Sequence, residues 1–162
     1  SAATRTRMEA AAAEGVFDLF ATDHCAFARE DKDRCREDFR NVPKGLAGTG
    51  ALVPLTFELL VKQRGLPISE LVTRLAANPA RLLGAYPRKG TIAVGSDADL
   101  VILDPQGRER PVVSSLSDCY ETYPGRTTTL DIRRVFVGGR EVVRDNVVLT
   151  AGRLSGRCLA AA

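Results

Sequence analysis

The sequence predicts an α/β chain, helical around one short apolar strand in its first part and built of short strands in its second. The start reads as a run of strong helix formers, a glycine, an apolar segment and then an acid. Beyond Tyr86 the hydrophobic period changes from helical to strand-like. The β-branched segments that follow are short and divided by Gly, Pro or Asp.

Thr4 to Glu14 supplies the first helix, and Gly15 stands where its left-handed cap belongs. Val16 to Ala21 (V-F-D-L-F-A) is short and apolar, as a buried strand is, and runs straight into Thr22-Asp23-His24. From Cys25 to Gly50 lies a charged, glycine-containing stretch longer than most connections in compact domains, and such stretches are functional or disordered. Pro54 opens a helix that Gly65 closes, and Ser69 precedes a second with Leu71, Val72, Leu75 and Ala76 at helical spacing. Asn78-Pro79 is expected to halt that helix and restart the chain as a short turn ended by Gly84. Four strands are then expected, at Thr91 to Val94, Asp99 to Asp104, Val112 to Ser114 and Ile132 to Val137. Gly138-Gly139 supplies the positive backbone angles of a two-residue hairpin.

Composition narrows the function. With 162 residues and 44% hydrophobic content, the chain has the core-forming capacity of an ordinary globular domain. Lys and Arg number 23 against 20 Asp and Glu, spread along the chain, which argues against nucleic acid as a partner. Cys25, Cys35, Cys119 and Cys158 lie far apart without a C-x-x-C pair, so reduced thiols are the simpler reading. No run approaches the roughly 18 apolar residues of a membrane span, and a soluble, cytoplasmic protein is the expectation. The chain does not begin with Met, which fits a trimmed or fragmentary chain as well as it fits processing.

An acid at the C-terminal end of a strand, followed by a long loop, is how a (β/α) barrel delivers a catalytic group. Asp23 has that position, where a carboxylate ligates a divalent cation or shuttles a proton. Strand position alone leaves open that Asp23 merely caps a loop or the following turn. His24 is the only histidine and reads as a hydrogen-bonding residue before a ligand. A two-metal site needs several histidines and carboxylates, so this chain does not hold one by itself. Gly48-Thr49-Gly50 lacks the lysine and strand of a phosphate loop and reads as loop flexibility, and Cys25 reads as a small packed residue.

Thr22-Asp23-His24-Cys25-Ala26-Phe27 resembles the S/T-D-H-C-P-F motif of hydantoinases and dihydropyrimidinases. Asp38 to Gly48 (D-F-R-N-V-P-K-G-L-A-G) resembles the D-F-x-x-I-P-N-G-x-x-G loop that follows it in the same family. Asn78 to Gly84 and Tyr86 to Pro105 are similar to the junction at which the family's barrel gives way to its β-sandwich. These blocks, in this order, are specific for the cyclic amidohydrolases, which also include dihydroorotases and allantoinases.

The resemblance implies the C-terminal part of a metal-dependent hydrolase (β/α) barrel, with its last strand and C-terminal helices over 1–87, followed over 88–162 by strands of a small β-sandwich. It further implies two divalent metals, usually zinc, and hydroxide attack on the ring carbonyl of a cyclic amide. By position Asp23 is the metal-ligating aspartate that takes the proton and returns it to the leaving nitrogen. The H-x-H pair, carboxylated lysine and two further histidines belong to earlier strands, and none of Lys32, Lys44, Lys62 or Lys89 matches that lysine. Lys44 replaces the asparagine whose backbone helps hold the substrate ring, and Ala26 replaces a proline. The implied partners are a small cyclic amide, the N-terminal part of the same enzyme and further copies in a homo-oligomer, and the isolated chain is expected to be inactive. A different class remains open: a non-catalytic interaction module like the dihydropyrimidinase-like proteins that keep the fold without the metals.

Overall fold

A computed structural model describes residues 1–149, so Cys158 and the trailing alanines Ala160 to Ala162 lie outside the described residues. Helix α1 spans Ala2–Ala13; the Ser1 hydroxyl caps it by accepting from the Thr4 N–H at 3.2 Å. Gly15, at φ +84°, terminates it where the sequence predicts. The buried Arg74 guanidinium donates to the carbonyl oxygen of Ala12, taking up one acceptor that the helix end leaves unpaired.

The strand expected at Val16 to Ala21 does not form. A parallel strand is defined by ladder bonds to neighbours, and no neighbouring strand lies beside this segment among the described residues. Helical residues hold it instead: the Phe20 N–H donates to the Arg74 carbonyl at 3.4 Å, and Asn78 Nδ2 donates to the Asp18 carbonyl at 2.7 Å. The expected long loop contains one short helix, α2 (Arg29–Asp33), that the sequence reading does not include.

Helix α3 (Leu52–Phe57) begins before Pro54, which sits in the first turn where its missing N–H has no intrahelical role. It continues as a π-helical stretch, Glu58–Gln63, and Gly65 closes it at φ +68°. Asn78-Pro79 does not halt the next helix. Helix α4 (Ile68–Val72) passes through a π-helical stretch, Thr73–Ala77, into α5 (Asn78–Leu82), with Asn78 itself helical at φ −68° and ψ −43°. The wide π turn accommodates the proline ring that would clash with a carbonyl in a regular α-helix. No helix among the described residues is long and apolar enough to cross a membrane.

Strands β1 (Leu100–Asp104), β4 (Asp131–Val137), β5 (Arg140–Arg144) and β6 (Val147–Val148) form an antiparallel sheet in the order β1-β4-β5-β6. A second ribbon pairs β2 (Arg110–Pro111) with β3 (Thr127–Thr128). Gly138 and Gly139, at φ +56° and +80°, turn β4 into β5 as expected. Asp145-Asn146, both at positive φ, make an unforeseen second tight turn into β6.

The strands expected at Thr91 to Val94 and Val112 to Ser114 are absent. Ile92 and Val94 stand exposed without a ladder partner. At Val112 to Ser114 the donors go elsewhere: the Val112 N–H to the Arg126 carbonyl and the Ser114 N–H to the Glu121 carboxylate, at 2.8 and 2.9 Å. Phe57, Leu71 and Leu130 make a fully buried cluster, with Val53, Val61, Leu75 and Leu103 packed on it. This core ties the helices to the strands and thereby fixes the loops between them.

Candidate functional site

Asp23 is exposed and adopts φ +49°, a left-handed conformation uncommon for a residue with a side chain. A local bond closes the turn around it: the His24 N–H donates to Thr22 Oγ1 at 3.1 Å. His24 Nδ1 accepts from the Gly48 and Thr49 N–H groups at 3.0 and 3.2 Å, which requires that nitrogen to be unprotonated. The histidine thus takes the hydrogen-bonding role expected of it.

The Cys25 N–H donates to the Leu46 carbonyl at 3.0 Å, so the acid-bearing turn and the Pro43–Gly50 loop lie side by side. Glycine permits this approach. A Cβ at Gly45 would collide with the Cys25 carbonyl oxygen, and one at Gly50 with the Val113 carbonyl oxygen. The Gly48-Thr49-Gly50 segment is therefore a close-packed and bonded element, which corrects the expectation of simple flexibility. Cys25 is corrected as well, since its backbone is engaged but its side chain is exposed.

Lys44 is exposed, and its N–H and C=O have no partner among the described residues. Lys32, which the sequence reading names only to exclude it as the carboxylated lysine, donates from Nζ to the Pro43 and Gly45 carbonyls on either side of Lys44, both at 2.9 Å. Behind the loop, the Gly50 N–H donates to the Ser114 carbonyl at 3.0 Å, and Thr122 Oγ1 donates to the Ala47 carbonyl at 2.7 Å. Burial pushes the Glu121 carboxyl up, but donors from the Ser114 hydroxyl and from backbone N–H groups outweigh it and hold the group below its usual range. Neither Lys32 nor Glu121 carries a periodic or motif signal, because each works through loop carbonyls or N–H groups that only the folded path brings within reach.

Among the described residues no group of three His, Cys, Asp or Glu side chains converges as a metal site. Asp23 offers one carboxylate ligand, exposed and without a hydrogen-bond or ion-pair partner among those residues. Such a carboxylate fits a divalent cation as one member of a larger ligand set.

The chain is similar in fold to solved structures of hydantoinases and of a dihydropyrimidinase. The chain superposes on a D-hydantoinase (dihydropyrimidinase) from Thermus sp. with a TM-score of 0.80 and 34% identity, covering 89% of this chain and 32% of that one. An L-hydantoinase (dihydropyrimidinase) from Arthrobacter aurescens gives 0.80 and 31%, covering 93% and 34%. In sequence, the chain is 34% identical to a D-hydantoinase of Ralstonia pickettii over 80% of its own length and 29% of the relative's. Residues 1–142 match the model described as the amidohydrolase family, and the chain belongs to that family. It spans less than a third of the length of its curated relatives, 28% in the case of a dihydropyrimidinase of Arabidopsis thaliana.

Proposed function

We propose that the chain is the C-terminal part of a metal-dependent hydrolase that opens cyclic amides of the hydantoin or dihydropyrimidine type. Residues 1–87 then carry the closing helices of a (β/α) barrel and, at 16–21, the segment that pairs as its last strand only when neighbouring strands are present, while β1 to β6 contribute to a small β-sandwich. The observation that carries the reading is the turn at Asp23. An exposed carboxylate is held in an uncommon backbone conformation and laced by His24 and Cys25 to a loop that leaves the Lys44 peptide free. Backbone strain of this kind persists where surrounding contacts over-determine it, as at active sites.

Asp23 contributes one ligand to a divalent metal site, with zinc as the expected ion and the other ligands outside this chain. When bound, the metal pair supplies Lewis acidity at the ring carbonyl and an activated water. Asp23 takes a proton from the attacking water and returns it to the ring nitrogen as the C–N bond breaks. The Lys44 peptide holds the ring by main-chain hydrogen bonds, so the lysine side chain is not needed for that contact.

The test is Asp23→Asn in the complete, metal-loaded enzyme. Asparagine keeps the shape and the tolerance for positive φ but cannot carry the proton. Turnover of hydantoin or dihydrouracil should fall by roughly 10²–10⁴-fold, the usual worth of a positioned acid–base group. Near-normal turnover would reject the assigned role.

A further inference from the structure

We propose that Lys32 is a positioning residue for this reaction: its ammonium clamps the Pro43–Gly45 turn and strengthens the Lys44 N–H as a donor to the substrate carbonyl. The inference rests on the reading of the Lys44 peptide as the group that holds the ring.

Lys32 Nζ donates to the Pro43 and Gly45 carbonyls, each at 2.9 Å, and lies 5.7 Å from the centre of the Phe27 ring. The two carbonyls bracket Lys44. Fixing both fixes the orientation of the peptide units between them, and hydrogen bonds from a cation are about twice as strong as neutral ones. The Pro43 carbonyl and the Lys44 N–H are the two ends of one conjugated peptide unit. A cation on the oxygen draws density from the nitrogen, so the N–H becomes a better donor. That gain grows as negative charge develops on the substrate oxygen, so it favours the transition state over the bound substrate.

The ammonium is itself held in place. Helix α2, which carries Lys32, is anchored by the Arg29 N–H and Nε to the Asp118 and Cys119 carbonyls, each at 3.2 Å. The Tyr120 hydroxyl donates to Asp33 at 2.6 Å. The neighbouring carboxylates Asp31 and Asp33 are engaged by Arg34 and Arg36, which leaves the charge of Lys32 directed at the peptide oxygens. On the opposite side Gly45 abuts the Cys25 backbone, so the clamped turn and the Asp23 turn are packed as one unit.

The experiment compares wild type, Lys32→Met and Lys32→Arg in the complete enzyme, with hydantoin and dihydrouracil as substrates and, as a second readout, exchange of the Cys25 and Gly48 N–H groups that bond the loop to the Asp23 turn. Lys32→Met should lower kcat/KM between about tenfold and about a hundredfold, the range expected when a binding group is misplaced. kcat should fall more than KM rises, exchange at the Cys25 and Gly48 N–H groups that bond across the loop should quicken, and Lys32→Arg should recover most of the loss. Lys32→Met within about twofold of wild type in kcat/KM, or a loss that arginine does not recover, overturns the proposal. Wild type inactive on both rings overturns the functional reading instead. Exchange then decides the clamp alone: unchanged protection in Lys32→Met overturns it, and faster exchange supports it.

Discussion

Asp23 and Gly45, on two turns joined by the Cys25 N–H to Leu46 carbonyl bond, meet opposite backbone problems. Asp23 has a side chain where glycine would be more comfortable, at φ +49°, and aspartate is among the few residues that tolerate it. Gly45 has no side chain because the Cys25 carbonyl oxygen, the Cys25 Cβ and the Phe27 ring leave no room for one. Gly45→Ala therefore has to push the loop away from the acid-bearing turn, since a backbone carbonyl cannot rotate aside. Overpacking of this kind costs about 1–3 kcal/mol. A lowered midpoint in denaturant unfolding, with kcat/KM reduced beyond the loss of folded protein, is the expected outcome. An alanine variant with unchanged midpoint and unchanged turnover would mean that the two turns need not touch.

Between the helices and the strands, the junction is held by charge. Lys89 pairs with Asp97 at 2.9 Å and also with Asp99, Arg88 pairs with Asp97 at 3.2 Å, and Asp99 accepts from the Gly138 N–H at 2.6 Å. Hydrogen bonds from Lys89 come first among the causes that hold both carboxyls below the usual carboxylate range, and the same bonds hold the lysine above its own. A lowered carboxyl stabilises the fold above the unfolded value of about 4 and loses that contribution as pH falls through the folded value. The raised lysine contributes below its unfolded value of about 10.4 and stops doing so as pH rises through the folded one. The junction is accordingly strongest between those limits, and Lys89→Met should flatten the acid side of the stability–pH curve measured by thermal unfolding. The same acid slope in both proteins would place the pH sensitivity elsewhere. This ionic cluster was not foreseen, although its neighbours were legible. Gly15, Gly65 and Gly138-Gly139 end or turn their elements as expected because those signals are local. The segments 16–21 and 91–94 have strand composition but no ladder, since pairing depends on partners that no local window contains. Asp23 and the Pro43–Gly50 loop were legible through their motifs, whereas the Lys32 bonds to the Pro43 and Gly45 carbonyls exist only once the loop has folded back.

At the scale of the molecule, the distribution of apolar surface is uneven. Val16, Leu82 and Leu83 are exposed beside the unpaired 16–21 segment, with Leu82 at 73%. Ile92, at 88%, and Val94 stand exposed before β1, itself an edge strand bonded on one side only. Scattered exposed leucines are ordinary on a protein surface, but these gather at two places where extended backbone also lacks ladder bonds. That pairing of apolar side chains with open hydrogen-bonding groups is what a barrel seam and a sandwich edge present when their neighbours are missing. The chain produced alone should self-associate in a concentration-dependent way and bind a hydrophobic dye, and the complete enzyme proposed above should do neither at these faces. Two changes separate the sites: Leu82→Lys should reduce association through the face beside residues 16–21, and Val94→Lys through the face before β1. In both variants the cluster of Phe57, Leu71 and Leu130 is left untouched. Co-production with the N-terminal part of the enzyme should abolish dye binding and restore ring opening together, because the segments that cover the apolar faces are proposed to bring the remaining metal ligands. A monomeric, dye-negative chain would show that both faces are closed without help, and the barrel assignment of residues 1–87 would then have to be abandoned.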